Sequence, residues 1–448
     1  MAETPPWAGR RLHFVGIGGA GMSGLALVAR ALGAEVTGSD RAESAYLAPL
    51  RARGIDPAIG HAPGNVPEAA DVVFSTAVPE DNPERAAARD RGAREIHRGR
   101  LLAEVSALRR CIAVTGTHGK TTTTAMIVHV LRSCGLDPSF LVGGEIDATA
   151  DGPRVNAGWG EGEWIVVEAD ESDRSLLSLA PEIAVLTNAE LDHHATYGSR
   201  LELEETLTRF LATASHAVVW DRPELVGLRD GPLVTFDAPD PQPDADGVRF
   251  TWRGRTVRLG APGAHNALNA TAALAACELA GADPACAASA LADFRGVARR
   301  FALLGHGPAG VPVYDDYAHH PTEVAATLRA ARTLSPSRLI AVFQPHLYSR
   351  TLALHHGFGE ALALADLPVV LDVYPARERS EDYPGVTGRL VAEATSEAAG
   401  GRRVCWLPGF DDAERFLRAE LCEGDVCVML GAGDVDALGR RLVAPVGR

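Results

Sequence analysis

Twice in its first third, the chain runs from a short apolar stretch through clustered glycines into a helix-forming stretch. Arg11 to Val15 leads into Gly16-Ile17-Gly18-Gly19-Ala20-Gly21 and a helical run from Leu25 to Leu32. Cys111 to Thr115 leads into Gly116-Thr117-His118-Gly119-Lys120-Thr121 and a helix through Leu131. A buried strand that feeds a helix returns to its sheet as a right-handed parallel crossover. The pattern therefore limits the fold to the α/β class, with mostly parallel sheets covered by helices on both faces. Strand-like runs at residues 35–37, 72–75, 164–168, 183–187, 313–314, 339–343, 369–373 and 426–430 continue the alternation. Residues 95–110 read as one basic helix-forming stretch, and a Pro/Asp-rich loop, DAPDPQPDADG, precedes a β-rich segment over 248–259.

A chain of 448 residues with 46% hydrophobic content suits three domains. The formal charge of −15 argues against nucleic acid or an anionic membrane as a main partner. It leaves room for an anionic small ligand held by a few local donors. No apolar run is long enough to span a bilayer, and the opening MAETPPWAGRR lacks the order of a signal peptide. Seven scattered cysteines without CxxC spacing suit unpaired, buried thiols in a reducing cytoplasm.

Of the 43 basic residues, Lys120 is the only lysine. A glycine-rich loop between strand and helix aims backbone N–H groups at a phosphate, with the helix dipole behind them. A lysine there reaches the outer phosphates, and the next hydroxyl ligates Mg²⁺. Arginine's planar fork is too wide for such a cradle. A chain that otherwise uses arginine keeps lysine where the geometry needs it. Val114 stands where the general P-loop spacing has glycine, so the match is to the shorter GxxGKT form. The earlier Gly16–Gly21 stretch has GxGxxG form, with Asp40 placed to meet a ribose hydroxyl. Alone it would suit a nicotinamide dehydrogenase; beside an ATP loop it suits the diphosphate of a second nucleotide.

Two acidic segments end predicted strands: Glu168-Ala169-Asp170-Glu171-Ser172-Asp173 and Thr187-Asn188-Ala189-Glu190-Leu191-Asp192-His193-His194. Ligands of parallel sheets sit beyond C-terminal strand ends, so both segments belong beside the phosphate loop. Glu168 offers oxygen to a hard cation, and His193 is placed to complete a second metal site. His265 and Asn269 share a helix face. Asp315-Asp316-Tyr317-Ala318-His319-His320 and Gln344-Pro345-His346-Leu347-Tyr348-Ser349-Arg350 follow two later strands.

In this order GIGGAGMSGLA, TGTHGKTTTT, EADESD, HNALNA, RRF, DDYAHHPTE and LGAGD resemble the Mur ligase family over nearly the whole chain. The resemblance implies an ATP-dependent amide-bond ligase that adds L-alanine to UDP-N-acetylmuramate through an acyl phosphate. It implies a Rossmann-like UDP-sugar domain over 1–108, a P-loop-type ATPase domain with a small β segment over 109–299, and a Rossmann-like closing domain over 300–448. Gly16, Gly18, Gly19, Ala20, Gly21, Met22, Ser23 and Asp40 would serve the sugar nucleotide. Gly116, Thr117, His118, Gly119, Lys120, Thr121 and Thr122 would hold ATP phosphates, with His265, Asn266 and Asn269 at the adenine, Arg300 at the phosphates and Asp316 at the ribose. Thr121 would take one Mg²⁺ ion, and Glu168 with His193 a second; Tyr317, His319 and Arg350 would hold the amino acid. Lys120, Glu168, His193 and Arg300 would carry the catalysis, in a monomer or homodimer. The chain departs from the family pattern at Leu347, where similar ligases carry arginine, and at Arg174, where a small residue is usual. The competing readings are a murein-peptide ligase within the family and, outside it, an NAD-binding dehydrogenase or a non-catalytic nucleotide sensor.

Overall fold

The computed structural model describes residues 5–147, 154–192, 196–238, 240–244 and 247–444. The chain divides into two compact units, Met1–Ala238 with Leu268–Phe294, and Pro239–Ala267 with Arg295–Arg448.

The first unit holds two sheets. Strands β1 (Arg11–Val15), β2 (Glu35–Asp40), β3 (Ala58–Ile59), β4 (Asp71–Phe74) and β5 (Glu95–His97) form an all-parallel sheet in the order β3-β2-β1-β4-β5. Strands β6 (Arg110–Thr115), β7 (Ser139–Asp147), β8 (Arg154–Gly158), β9 (Trp164–Glu168), β10 (Ile183–Leu186), β11 (His216–Trp220) and β12 (Leu233–Phe236) form the second, ordered β12-β11-β10-β6-β9-β7-β8. It is parallel except that β8 returns antiparallel beside β7. That hairpin escapes the alternation pattern, because Gly143 and Gly144 interrupt an otherwise apolar run. β1 reads as four buried residues after Arg11, and β6 as five after Arg110. Such near-continuous burial is what a strand covered on both faces requires.

The expected single helix over 95–110 is corrected by the structure. Residues Glu95–His97 pair with β4 as β5, and a helix follows over Arg98–Ser106. His97 starts it by accepting the Gly99 N–H at Nδ1, 3.2 Å away. The expectation of unpaired cysteines is corrected too: Cys134 and Cys286 form a disulfide, while Cys111, Cys277 and Cys427 are buried thiols, Cys405 is half-buried and Cys422 is exposed.

The second unit contains a three-stranded antiparallel sheet, β13 (Gln242–Asp244), β14 (Gly247–Trp252) and β15 (Arg255–Leu259). Its main sheet is built from β16 (Ala302–His306), β17 (Pro312–Asp316), β18 (Leu339–Phe343), β19 (Leu367–Val370), β20 (Cys405–Trp406) and β21 (Val426–Leu430), in the order β16-β17-β21-β18-β19-β20. Only β16 runs antiparallel to its neighbour. One core lies on each face, around Phe343 and Phe358 on one side and Met429 and Leu438 on the other. Arg299 and Phe301, just before β16, sit at φ 60° and 50°, a costly backbone for non-glycine residues. Among the described residues no helix is long and apolar enough to cross a membrane.

Candidate active site

In the first unit the C-terminal end of β6 opens into Gly116–Gly119, and the helix Lys120–Ser133 begins at Gly119. Gly119 has φ 80°, and a Cβ there would press on the Asn269 carboxamide. Gly116 has φ 127°, and a Cβ there would meet the Thr187 hydroxyl and the Asn188 backbone. Only glycine fits either position. The end of β10 braces the loop from the other side. Asn188 Oδ1 accepts the His118 N–H at 2.9 Å, and the Thr187 hydroxyl donates to the His118 carbonyl at 2.6 Å. The Thr117 hydroxyl donates to the Glu190 carbonyl and accepts the Glu190 N–H, both at 2.8 Å. The N–H groups of the first helical turn lack intrahelical acceptors, so this rigid loop is a preformed anion cradle.

Lys120 folds back into the cradle. Its Nζ donates to the Gly116 carbonyl at 2.6 Å, the Thr117 carbonyl at 3.1 Å and Glu171 Oε1 at 3.0 Å. Burial works against its charge, but Glu171, Asp170 and Glu168 outweigh burial and lift the ammonium to about 12. Thr121 Oγ1 donates to Glu168 Oε1 at 3.1 Å, and Glu168 Oε2 accepts the Gly143 N–H at 2.9 Å. Two oxygen donors, a hydroxyl and a carboxylate, thus converge beside the lysine, a set suited to Mg²⁺. His193 lies outside the described residues.

Sequence reasoning missed two participants. Arg98 donates to Asp170 at 2.7 Å and to Asp173 at 2.8 Å. Burial opposes its charge, but Asp170 and Asp173 raise its pKa further; Asp170 is held well below the usual carboxylate range, against burial, by Arg98 and Lys120. Glu171 is the other, fixed by the Tyr197 hydroxyl and the Arg174 N–H on its carbonyl, at 2.6 and 3.0 Å. In the sequence, Arg98 is one arginine among many, and nothing separates Glu171 from its acidic neighbours. Arg174 itself takes φ 59° and lies over the Tyr197 ring, 5.0 Å from its centre.

A cleft of about 190 Å³ joins this site to the first sheet; Ala20, Gly21 and Arg98 line it opposite Gly143, Glu168 and Asp170. Gly16 turns at φ 76°, and the helix Ala20–Ala31 follows, burying Met22 and Ser23. Asn156 Nδ2 donates to the Ala20 carbonyl and the Ser23 hydroxyl at 2.6 and 2.9 Å, tying β8 to the start of that helix. Asp40 is half-buried, and one of its oxygens accepts the Gly18 N–H at 2.8 Å, which helps set the loop.

In the second unit, Tyr317 and His319 meet edge to face at 5.3 Å, and His319 meets His346 at 6.2 Å. Arg350 lies 3.2 Å from His346 Nδ1, and Arg300 lies over Tyr317, 5.3 Å from its ring centre. The structure therefore brings Arg300, Tyr317, His319 and Arg350 into one cluster and adds His346. Leu347 is buried at φ 70° and starts the helix Tyr348–Leu362 that carries Arg350. Asp316 is only 7% exposed. It accepts from the Phe301 and Ala318 N–H groups at 2.9 and 2.8 Å and from Thr327 at 3.2 Å. Burial pushes its carboxyl up to about 6, although Arg300 pulls the other way. A ribose would meet a carboxylate already engaged. Burial pulls the His265 imidazole down to about 4, Glu323 opposing and Arg300 reinforcing the shift. Asn266 Nδ2 donates to the Pro262 carbonyl at 2.7 Å.

A strand, a glycine loop with one buried lysine and a carboxylate at the neighbouring strand end define a phosphate-binding α/β protein. Three family models cover the chain in turn: "Mur ligase family, catalytic domain" over residues 11–110, "Mur ligase middle domain" over 114–277 and "Mur ligase, glutamate ligase domain" over 299–433. The chain belongs to the Mur ligase family. It is 43% identical to the UDP-N-acetylmuramate–L-alanine ligase of Streptomyces griseus, across 99% of this chain and 98% of that one. The crystal structure of the UDP-N-acetylmuramate–alanine ligase of Thermotoga maritima superposes with TM-score 0.83 at 31% identity, covering 97% of this chain and 98% of that one. A murein peptide ligase from Psychrobacter arcticus superposes with TM-score 0.71 at 25% identity, covering 98% and 100%.

Proposed function

We propose that the chain joins L-alanine to the carboxylate of UDP-N-acetylmuramate at the expense of ATP, a step in building peptidoglycan precursors in the cytoplasm. The observation that carries this reading is that Glu168, which accepts the hydroxyl of Thr121 next to Lys120, also lines the cleft opposite Ala20 and Gly21 at the start of the first helix. ATP phosphates would take the Gly116–Thr122 loop. The muramyl carboxylate would enter along the cleft from the Gly16–Ser23 side.

The carboxylate attacks the γ-phosphorus in line, and ADP leaves. Lys120 moves from Glu171 to the transferring phosphoryl group and offsets the charge that spreads over its oxygens. Magnesium, held by Thr121 and by Glu168 with His193, would supply Lewis-acid stabilisation of those oxygens. L-alanine's amine then attacks the acyl carbon, phosphate leaves with the former carboxylate oxygen, and the amine's proton goes to His193 or to solvent. Arg300 and Asp316 are the groups the second unit offers to ATP; Tyr317, His319 and Arg350 are those it offers to the amino acid. Since Lys120 is the only lysine, no second lysine can bridge metals as a carbamate.

The three-domain division at 1–108, 109–299 and 300–448 belongs to the same proposal. A murein-peptide ligase would use the same loop. Incubation with ATP, UDP-N-acetylmuramate and either L-alanine or a tripeptide separates the two. ADP release that requires L-alanine supports the alanine ligase, and release only with the peptide overturns it.

A further inference from the structure

Three acidic side chains at the end of β9 stand beside the phosphate loop, and each has a different task. Glu168 accepts the Thr121 hydroxyl and the Gly143 N–H. Asp170 accepts from Arg98 at 2.7 Å and from the Ser172 N–H at 2.9 Å. Glu171 is the one that hydrogen-bonds Lys120, its Oε1 and Oε2 lying 3.0 and 2.9 Å from Nζ. Burial opposes the lysine's charge, and Glu171 leads the acidic groups that restore it.

An ammonium has three N–H groups and accepts nothing. Lys120 spends two of them on the Gly116 and Thr117 carbonyls, at 2.6 and 3.1 Å, and the third on Glu171. Both carbonyls belong to the loop, which Asn188 and Thr187 brace through His118. A phosphate seated in the loop therefore leaves those two bonds in place. It gains a hydrogen from Lys120 only by taking the bond that Glu171 holds. The glutamate's backbone is pinned, because its carbonyl accepts the Tyr197 hydroxyl at 2.6 Å and the Arg174 N–H at 3.0 Å. Release of the lysine is then a rotation of one side chain, with the loop unchanged.

We propose that Glu171 is a latch on the phosphate loop, a positioning residue that holds the third N–H of Lys120 and competes for it with the outer phosphates of the nucleotide. This rests on the reading that the loop takes ATP phosphates. A loop lysine of this kind reaches the β- and γ-phosphates, whose charge exceeds that of one carboxylate, so ATP opens the latch. Once the γ-phosphoryl group has been transferred, Glu171 competes for the lysine with ADP alone, and its return weakens the hold on the product. The latch thus lowers affinity for nucleotide in exchange for release of ADP.

The test is calorimetric binding of ATP and of ADP to the full chain, with magnesium present and UDP-N-acetylmuramate left out so that no transfer occurs. Glu171→Gln keeps the shape of the side chain and removes its charge; it should bind both nucleotides about tenfold more tightly than wild type. In turnover its KM for ATP should fall by a similar factor with no rise in kcat. Glu171→Asp keeps the charge but is one methylene too short to hold Lys120, and it should tighten both nucleotides by about threefold or more. A residue that only supports the fold would weaken them when replaced. Unchanged or weaker ATP binding in Glu171→Gln overturns the latch while leaving the ATP site standing. Tighter binding in Glu171→Gln alone, with Glu171→Asp equal to wild type, reduces the effect to plain charge repulsion and also overturns it. Failure of ATP to bind the wild type overturns the underlying reading and this proposal together.

Discussion

Removing the lysine from the phosphate loop should destabilise the first unit as well as silence it. Lys120 and Glu171 approach within 2.9 Å with side chains 14% and 2% exposed. At an effective dielectric of about 20, two unit charges about 3 Å apart attract by roughly 5–6 kcal/mol. Desolvation of both groups offsets part of that. Deleting one partner of a buried pair nevertheless costs about 3–5 kcal/mol, because the other is left buried and uncompensated. Here Asp170 and Glu168 stand near the orphaned Glu171, which argues for the upper half of the range. Lys120→Met should therefore lose about 4–5 kcal/mol in urea unfolding followed by the fluorescence of buried Trp164. The double variant Lys120→Met/Glu171→Gln should regain most of the loss while remaining inactive. The lysine's folded value, about 12, lies above its ordinary 10.5. Its contribution is complete below about 10.5 and is lost only as pH rises through about 12. The deficit should thus be flat from pH 6 to 9. A single variant within about 1 kcal/mol of wild type, or a double variant no more stable than the single, would refute the buried-pair argument.

Three other outcomes follow from particular contacts. Glu84 falls from 4.5 to about 2 on folding, which is worth about 3 kcal/mol, present above the unfolded value and lost as pH falls through the folded one. Glu84→Gln should therefore trail wild type at pH 7 and converge on it as pH falls from about 4.5 towards 2; a pH-independent gap counts against an ionised Glu84. The Cys134–Cys286 bond spans 152 residues, so reductant or Cys134→Ser should lower the melting temperature, with roughly 5 kcal/mol as the chain-entropy ceiling. Thiol titration of unreduced, denatured protein should find five free cysteines, and seven would contradict the pairing. Gly119→Ala forces a side chain into φ 80° and against Asn269; it should raise KM for ATP by about tenfold or more and leave KM for alanine nearly unchanged. An unaltered ATP KM would show that the cradle is looser than its contacts indicate.

What could be read from sequence divides along a physical line. Local signals sufficed where the chain's own neighbours decide the outcome. The runs at β1, β9, β18 and β21 are the apolar stretches of the sequence, end for end. Lys120 and Thr121 follow from loop chemistry, and Glu168 from its place at a strand end. The features that escaped are settled by residues distant in the chain. Arg98 meets its aspartates across 72 and 75 residues. The disulfide and the Lys120–Glu171 pair are also long-range. Asp40 sits at the spacing of a ribose ligand, and its spacing does not reveal that one of its oxygens also accepts the Gly18 N–H. Residues 95–97 carry helix-compatible side chains, and only the open edge of β4 makes them a strand. Leu347 holds φ 70° without being glycine, a strain no propensity reveals.

The central claim is that the muramyl carboxylate is activated by phosphoryl transfer before the amide forms. The most direct measurement uses UDP-N-acetylmuramate carrying ¹⁸O in both carboxylate oxygens, with ATP and L-alanine, and mass analysis of the products. Attack by the carboxylate must carry one labelled oxygen to phosphorus, and loss of phosphate from the tetrahedral adduct must take that oxygen along. The account predicts inorganic phosphate bearing one ¹⁸O for each alanylated nucleotide formed, unlabelled ADP, and one ¹⁸O left in the new amide. Unlabelled phosphate accompanying product formation would contradict it.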